Sequence, residues 1–339
     1  MEVNLEDNHD SPETNLETSS DIEPRAKWLK PLQGILVFLI MMVTLAYGGS
    51  YFQIKWGMYG VALTELMILL FAIIPALILG KSLREVFPFK KPTLKGTLAT
   101  VLLWVGSFLP IMTASLILIT IFMDGFSQVS EQLGNVITSV PVFISWIIVA
   151  IMPAVCEEAL HRGLLLHTFK DLKKKWVIIL IMGLIFGIFH LDPYRFLPTA
   201  LLGVALTYLM LETNNLFYPM LFHLINNTVS VLSSFTALPQ NLETAQNMDL
   251  TQVIDVNTML ITIGAFTILS SVSPVLLKLA AGLLGKKVEP LTEEERKAMR
   301  AKQNKTWIKV IIFTLVLFVL GIVLMSIGMA NTDLSQWQP

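Results

Sequence analysis

Residues 141–168 read PVFISWIIVAIMPAVCEEALHRGLLLHT, and this stretch decides how the rest of the chain is interpreted. It is long enough to cross a bilayer, because about 20 apolar residues in a helix span a hydrocarbon core roughly 30 Å thick. It nevertheless contains Glu157, Glu158 and Arg162. An ionisable side chain costs at least about 2.5–3.5 kcal/mol at the centre of a membrane helix, so such residues usually mark a function. The stretch therefore predicts a membrane helix that carries functional polar groups.

Similar apolar stretches recur along the whole chain of 339 residues. Apolar residues make up 54% of the sequence and charged residues 14%, whereas a soluble domain carries about 25% charged residues. The fold class that we predict is an all-α polytopic membrane protein of about nine transmembrane helices, with a core of spans four to seven. The nine spans are roughly 32–52, 59–80, 97–122, 141–168, 176–191, 196–211, 215–234, 259–281 and 307–329.

Four parts follow from this count of spans. The polar, acidic N-terminus lacks the apolar surface that folding requires, so we predict a disordered cytoplasmic tail there. A linker helix is predicted between Lys286 and Lys305, on the cytoplasmic side of the last two spans. The parts are 1–30 (tail), 31–140 (accessory spans), 141–234 (core) and 235–339 (an outer loop, the linker helix and two spans).

The distribution of positive charge predicts the orientation of the spans. Cytoplasmic loops collect Lys and Arg, and 21 of the 24 basic residues fall on one side if the spans alternate. The other side holds Lys55 and Arg195, while Arg162 lies inside a span. We therefore expect the N-terminus in the cytoplasm and the C-terminus outside, in what we take to be a bacterial plasma membrane because no targeting signal is present.

Polar residues also interrupt spans five and seven. Span five ends in the sequence Phe186-Gly-Ile-Phe-His190, and span seven contains His223-Leu-Ile-Asn-Asn227. Residues four apart share one face of a helix. At a rise of 1.5 Å per residue, Glu157, His190 and Asn227 all lie roughly 18–21 Å from the cytoplasmic boundary. Three helices are thus predicted to bring polar groups to a similar depth.

Span four places its two adjacent carboxylates on different faces. Glu158 and Arg162 are four residues apart and can pair, which leaves Glu157, about 100° around the helix, to face His190. Pro153 has no N–H for a helical hydrogen bond, so it frees a carbonyl that needs a partner or a cavity.

Small residues favour close packing at the same depth. Gly183 and Gly187 form one face of span five, and small residues spaced in this way let a second helix approach.

These motifs together resemble those of a known enzyme family. They occur in order, on successive hydrophobic spans, within roughly Pro141 to Val231. They are similar to the three motifs of the CAAX-protease and bacteriocin-processing family, which includes the eukaryotic Ras-converting endopeptidases. The matching residues are Glu157-Glu158-xxx-Arg162, Phe186-xxx-His190 and His223-xxx-Asn227.

The resemblance implies an intramembrane endopeptidase and a role for each matching residue. In the family, the first glutamate and the second-motif histidine activate a water molecule, which are the roles of Glu157 and His190 here. The third-motif residues stabilise the oxyanion, which is the role of His223 and Asn227. Hydrolysis needs a base and donors aimed at the developing charge. The remaining motif residues have supporting roles: Glu158, Arg162 and Phe186.

A zinc mechanism is the alternative for the same residues. Glu157, His190 and His223 supply three protein ligands, and water is the fourth ligand of a catalytic zinc site. We favour the mechanism without a cofactor. The expected partners are the lipid bilayer and a protein or peptide substrate, processed as in CAAX or leader cleavage, and we expect no nucleic acid.

Two other functions use the same intramembrane groups. A transporter or proton-coupled carrier also relies on buried carboxylates and histidines, although we find no inverted repeat. An inactive relative that serves as an immunity or scaffold protein is the third possibility. Side chains outside the motifs receive structural interpretations: His161, His167 and Glu65 as interfacial residues, and Cys156 as a buried apolar one.

Overall fold

The computed structural model describes residues 31–170, 172, 174–236, 256–285 and 292–331. Within these residues the chain forms helices and no strand. We number them in chain order: α1 Pro31–Trp56, α2 Met58–Ile78, α3 Leu83–Val86, α4 Leu94–Ile121, α5 Met123–Thr138, α6 Val142–Thr168, α7 Lys175–Phe189, α8 Phe196–Thr213, α9 Phe217–Thr236, α10 Val256–Leu284 and α11 Glu293–Ala330.

The protein is an integral membrane protein of the all-α class. Seven of the described helices are long and apolar enough to cross a membrane: α1, α2, α4, α6, α8, α10 and α11. The apolar helix α7 is shorter, at 15 residues, and α9 has 20 residues with several polar side chains. The count of nine spans and their orientation stay predictions.

Helix α6 lies at the centre of the molecule. Residues 156–169 are all buried, which is unusual for charged residues unless they are paired. Helix α2 packs along one side of α6, and α9 packs on another. The C-terminal half of α6 is covered as well, because Phe87 lies against Gly163 and Thr168 lies against Gly34.

Glycines bring α7 and α8 into close contact. A Cβ atom on Gly183 would lie 2.9 Å from the carbonyl oxygen of Ala200, and one on Gly187 would lie 2.8 Å from that of Phe196. Gly203 of α8 has a similarly close approach to Phe186. The predicted small-residue face of span five is therefore confirmed, and it brings α8 close to the second motif.

Two elements differ from the sequence prediction. A separate linker helix was predicted between Lys286 and Lys305. In the described part of this segment, the residues instead belong to α11, which runs without a break from Glu293 to Ala330. It starts at a capping box in which Thr292 and Glu295 bond each other's backbone N–H groups. The amphipathic helix α5 was not predicted. The tail 1–30 and most of the outer loop lie outside the described residues.

Candidate active site

Two π-helical turns shape α6 around its acidic motif. They span Ile147–Ile151 and Ala159–Leu165, and the carboxylates of Glu157 and Glu158 lie between them. A π turn adds a residue to one turn of the helix and often occurs at functional sites. The second turn contains the Arg162 that follows the carboxylates.

Glu158 connects the first and third motifs. Its Oε1 atom accepts a hydrogen bond from Nη1 of Arg162 at 2.9 Å and lies 2.9 Å from Nδ1 of His223. The three side chains are at most 3% exposed. The pairing of Glu158 with Arg162 was predicted from their spacing, whereas the contact with His223 joins α6 to α9 and was not.

Arg162 connects the same carboxylate to the second motif. Its Nη2 atom donates to the backbone carbonyl of Gly203 at 3.0 Å, and its guanidinium carbon lies 4.5 Å from the centre of the Phe186 ring. A guanidinium over an aromatic face is stabilised by the ring quadrupole. The Phe186 ring is 0% exposed, so it is packed within the protein beside Arg162.

His190 is held at the end of α7 by its own helix. Its Nδ1 atom lies 2.8 Å from the carbonyl oxygen of Phe186. A carbonyl oxygen only accepts, so Nδ1 carries a proton and Nε2 of the neutral ring is the acceptor. The Phe186 ring centre lies 5.0 Å from that of His190 and 5.8 Å from that of His223, so one aromatic ring contacts both imidazoles.

Glu157 is buried without a hydrogen bond at one carboxylate oxygen. The residue is 7% exposed, and its Oε2 atom has no partner among the described residues. Its ionisable neighbours include His223, Glu158, Arg195 and Arg162. A buried polar atom without a partner in a native protein calls for an explanation, such as a bound molecule or a catalytic role.

Asn227 has a structural partner in α6. Its Nδ2 atom donates to the carbonyl oxygen of Val149 at 3.0 Å. In a regular helix this carbonyl would accept from residue 153, but Pro153 has no N–H. The carbonyl that the sequence predicted to be freed by Pro153 is therefore bonded by the third motif. The neighbouring Asn226 donates to Oδ1 of Asn227 at 3.3 Å.

This arrangement predicts that Asn227 and Pro153 are coupled in stability. Asn227→Ala leaves the Val149 carbonyl without its partner, and we expect a loss of about 1–3 kcal/mol in the free energy of unfolding. Pro153→Ala restores an N–H to α6, so the same Asn227 substitution should cost less in that background. A double-mutant cycle measured by reversible unfolding in mixed micelles checks this. Equal costs in both backgrounds would contradict the coupling.

Four residues have surroundings that the sequence analysis did not predict. Glu65, predicted as interfacial, is 6% exposed on α2, has an unpartnered Oε2 among the described residues, and interacts electrostatically with Glu157. Arg195, used only as an orientation signal, interacts with Asp192 and Glu157.

The predictions for His161 and His167 as interfacial residues are wrong, since they are 0% and 2% exposed.

The physical reason for these corrections is the same in each case. The sequence of a single helix gives the depth and the spacing of its residues, but it does not show which neighbouring helices cover them. His161 makes T-shaped contacts with the Phe186 and Phe189 rings, whose centres lie 5.0 and 4.7 Å from its own. Its Nδ1 atom bonds the Glu157 carbonyl at 2.8 Å. No signal in α2 alone marked Glu65 as part of this region.

The residues of the zinc alternative do not form a three-ligand set here. Within the described parts of the chain, no three side chains of His, Cys, Asp or Glu lie close enough together to hold a metal ion. Glu157, His190 and His223 share a region, but no hydrogen bond joins the Glu157 carboxylate to either imidazole within it. Cys156 is buried as predicted, as a free thiol.

The residues around Glu158 coincide with a match to a known family. Residues 138–229 match the family model described as type II CAAX prenyl endopeptidase, Rce1-like. The chain thus carries a segment similar to this family. This Rce1-like segment runs from the end of α5 through most of α9 and contains all three motifs.

The match confirms the family resemblance found in the sequence. The remaining helices, α1 to α4, α10 and α11, lie outside the Rce1-like segment. Neither a curated protein nor a solved structure matches the chain significantly.

Proposed function

We propose that this protein is an intramembrane endopeptidase that hydrolyses peptide bonds of membrane-associated proteins or peptides. One observation supports this most: a single buried network contacts all three motifs. Glu158 bonds Arg162 and lies against His223, while the carbonyl of Phe186 holds His190. Such a network fixes side chains before the substrate arrives, which is what hydrolysis requires of its catalytic groups.

Water activation is assigned to Glu157 and His190. Two acceptors each bind a proton of the water: the carboxylate oxygen of Glu157 that has no partner among the described residues, and Nε2 of His190. One O–H bond of that water breaks as its proton passes to Glu157, and its oxygen forms a bond to the carbonyl carbon of the peptide while the π electrons of the C=O bond move to the carbonyl oxygen, which becomes the oxyanion. The C=O bond then forms again as the C–N bond breaks, and the leaving nitrogen takes the proton from Glu157.

Oxyanion stabilisation is assigned to His223 and Asn227. The amide nitrogen of Asn227 has two hydrogens, and only one is used by Val149. Nδ1 of His223 lies against the Glu158 carboxylate, which leaves Nε2 for the substrate. In the doubly protonated ring, the N–H group at Nε2 donates to the oxyanion. The positive charge of Arg195, which interacts with Glu157 across the same region, adds to the stabilisation of negative charge.

The substrate class follows from the family and from the membrane. We propose peptides that reach the site from the bilayer, by CAAX-type or leader processing. The proposed location is a bacterial plasma membrane, with the N-terminus in the cytoplasm. Zinc is the alternative cofactor. The mechanism without a metal is preferred because the described donor atoms do not form a three-ligand set, and elemental analysis tests this choice.

His190→Ala is the first test of the proposal. The variant should lose at least about 100-fold in cleavage rate, because the acceptor nitrogen that binds the water is removed. The measurement is mass-spectrometric cleavage of a library of membrane-anchored peptides in proteoliposomes. His9→Ala, in the polar tail, is the matched control and should cleave like the wild type.

Three outcomes of the same assay separate the alternatives. A wild-type protein that cleaves no peptide, or an unchanged His190→Ala, would contradict the proposal. Inhibition by a chelator, with zinc in the purified protein by elemental analysis, would replace the metal-free mechanism. Ion or solute uptake that depends on Glu157 in the same proteoliposomes would support a carrier instead.

A further inference from the structure

Two neighbouring cavities share one lysine of α10. The first has a volume of about 510 Å³ and lies between α4, α8 and α10. The second, of about 390 Å³, lies between α4, α10 and α11. Both are lined mainly by apolar side chains, and Lys278 lines both. The lysine therefore stands between two apolar spaces.

The lysine lies close to one end of the helices. Lys278 is six residues before the end of α10 at Leu284, which is about 9 Å along the axis. Trp176 and Tyr208 line the first cavity at the same end, where their rings are stacked with centres 6.0 Å apart. Lys175 pairs there with Glu212. Aromatic and basic residues together are typical of the boundary between hydrocarbon and headgroups.

Positive charge is concentrated beside the two cavities. Lys278 makes no ion pair with any described residue, although it is partly buried. The wall of the second cavity includes Gln303 and Trp307 of α11. The same turns of α11 carry Arg300, Lys302 and Lys305, and the charge pattern of the sequence assigns this end to the cytoplasmic side. Such clusters attract the anionic lipids of the cytoplasmic leaflet.

We propose that this site binds one anionic phospholipid of the cytoplasmic leaflet. Its phosphate is held by Lys278, and its two acyl chains occupy the two cavities. Such a phospholipid has one charged phosphate between two apolar acyl chains. The site offers the matching arrangement: Lys278, which has no ion pair among the described residues, lies between two apolar cavities. The basic turns of α11 favour a headgroup with net negative charge over a zwitterionic one, because the second charge of a zwitterion is repelled there.

The test is lipid binding by the intact purified protein. Phosphatidylglycerol and phosphatidylcholine with the same acyl chains are titrated separately in detergent, and bound lipid is counted by native mass spectrometry. The wild type should retain one phosphatidylglycerol and bind phosphatidylcholine more weakly. Lys278→Gln should weaken phosphatidylglycerol binding about fivefold, which corresponds to roughly 1 kcal/mol for one basic residue at the headgroup.

Lys95→Gln is the matched control, since it removes an equivalent charge from the exposed start of α4. Its phosphatidylglycerol affinity should stay that of the wild type. Equal binding of the two lipids by the wild type, or an equal loss in both lysine variants, would overturn the proposal and indicate non-specific attraction to the surface.

A second pair of variants tests the cavities without changing the charge. Ala281→Trp fills the first cavity from α10, and Ser107→Leu fills it from α4. Each should lower the number of bound phosphatidylglycerol molecules from one to zero while the protein elutes as the wild type does in size-exclusion chromatography. Binding that survives both substitutions would overturn the placement of the acyl chain. Because no peptide is cleaved in these measurements, their outcome is independent of the proposed peptidase activity.

Discussion

Glu157→Gln should abolish peptide cleavage while the protein keeps its fold. The amide has nearly the shape of the carboxylate but does not take a proton from water, so the base of the proposed reaction is lost. We expect a fall of about 10²–10⁴-fold in cleavage rate, the usual contribution of a positioned general base. The measurement is the initial rate on the best peptide of the membrane-anchored library.

The control for this variant is another Glu→Gln substitution at an exposed position. Glu294 lies in the first turn of α11 and is exposed, so Glu294→Gln should cleave at the wild-type rate. Because Oε2 of Glu157 has no hydrogen-bond partner among the described residues, we expect Glu157→Gln to unfold no more easily than the wild type. A variant with full activity would remove Glu157 from the mechanism.

Arg162→Leu should be the most destabilising single substitution in the site. The guanidinium is 1% exposed and bonds both Glu158 and the Gly203 carbonyl. Removing one partner of a buried ion pair leaves an uncompensated charge and costs about 3–5 kcal/mol. Reversible unfolding in mixed micelles gives this free energy directly.

Two further variants identify the cause of that loss. In Arg162→Lys the charge is kept, but one ammonium group does not reproduce the planar fork that bonds two acceptors, so stability should fall by less than in Arg162→Leu. Adding Glu158→Leu to Arg162→Leu removes the stranded carboxylate and should recover part of the loss. A double variant that is less stable than Arg162→Leu alone would show that the lost energy is packing and not uncompensated charge.

Local features of this site were predictable because they depend on one helix at a time. The pairing of Glu158 with Arg162 follows from a spacing of four residues, and it is observed at 2.9 Å. The close approach of another helix at Gly183 follows from missing side chains, and it is also observed. The carbonyl freed by Pro153 follows from proline chemistry, although its partner does not.

Contacts between helices were not predictable in the same way. The bond between His223 and Glu158, and that between Asn227 and Val149, depend on how α9 is rotated and shifted against α6. Many rotations place the same residues at the same depth. The expectation that Glu157 faces His190 depends on the same packing and stays a prediction: Glu157 has His223 and Arg195 among its electrostatic neighbours and no hydrogen bond to His190 in the described residues.

The sequence by itself determined that this is an all-α membrane protein, which polar groups lie within its spans and which family they resemble. These conclusions rest on hydrophobicity, residue spacing and motif order, and they do not depend on how helices pack. Only the tertiary structure decided that Glu65 of α2 lies beside the acidic motif and that Glu158 joins α6 to α9. A membrane helix is apolar on almost all of its faces, so its hydrophobicity does not specify which helix packs against which face. The close packing of particular side chains specifies it.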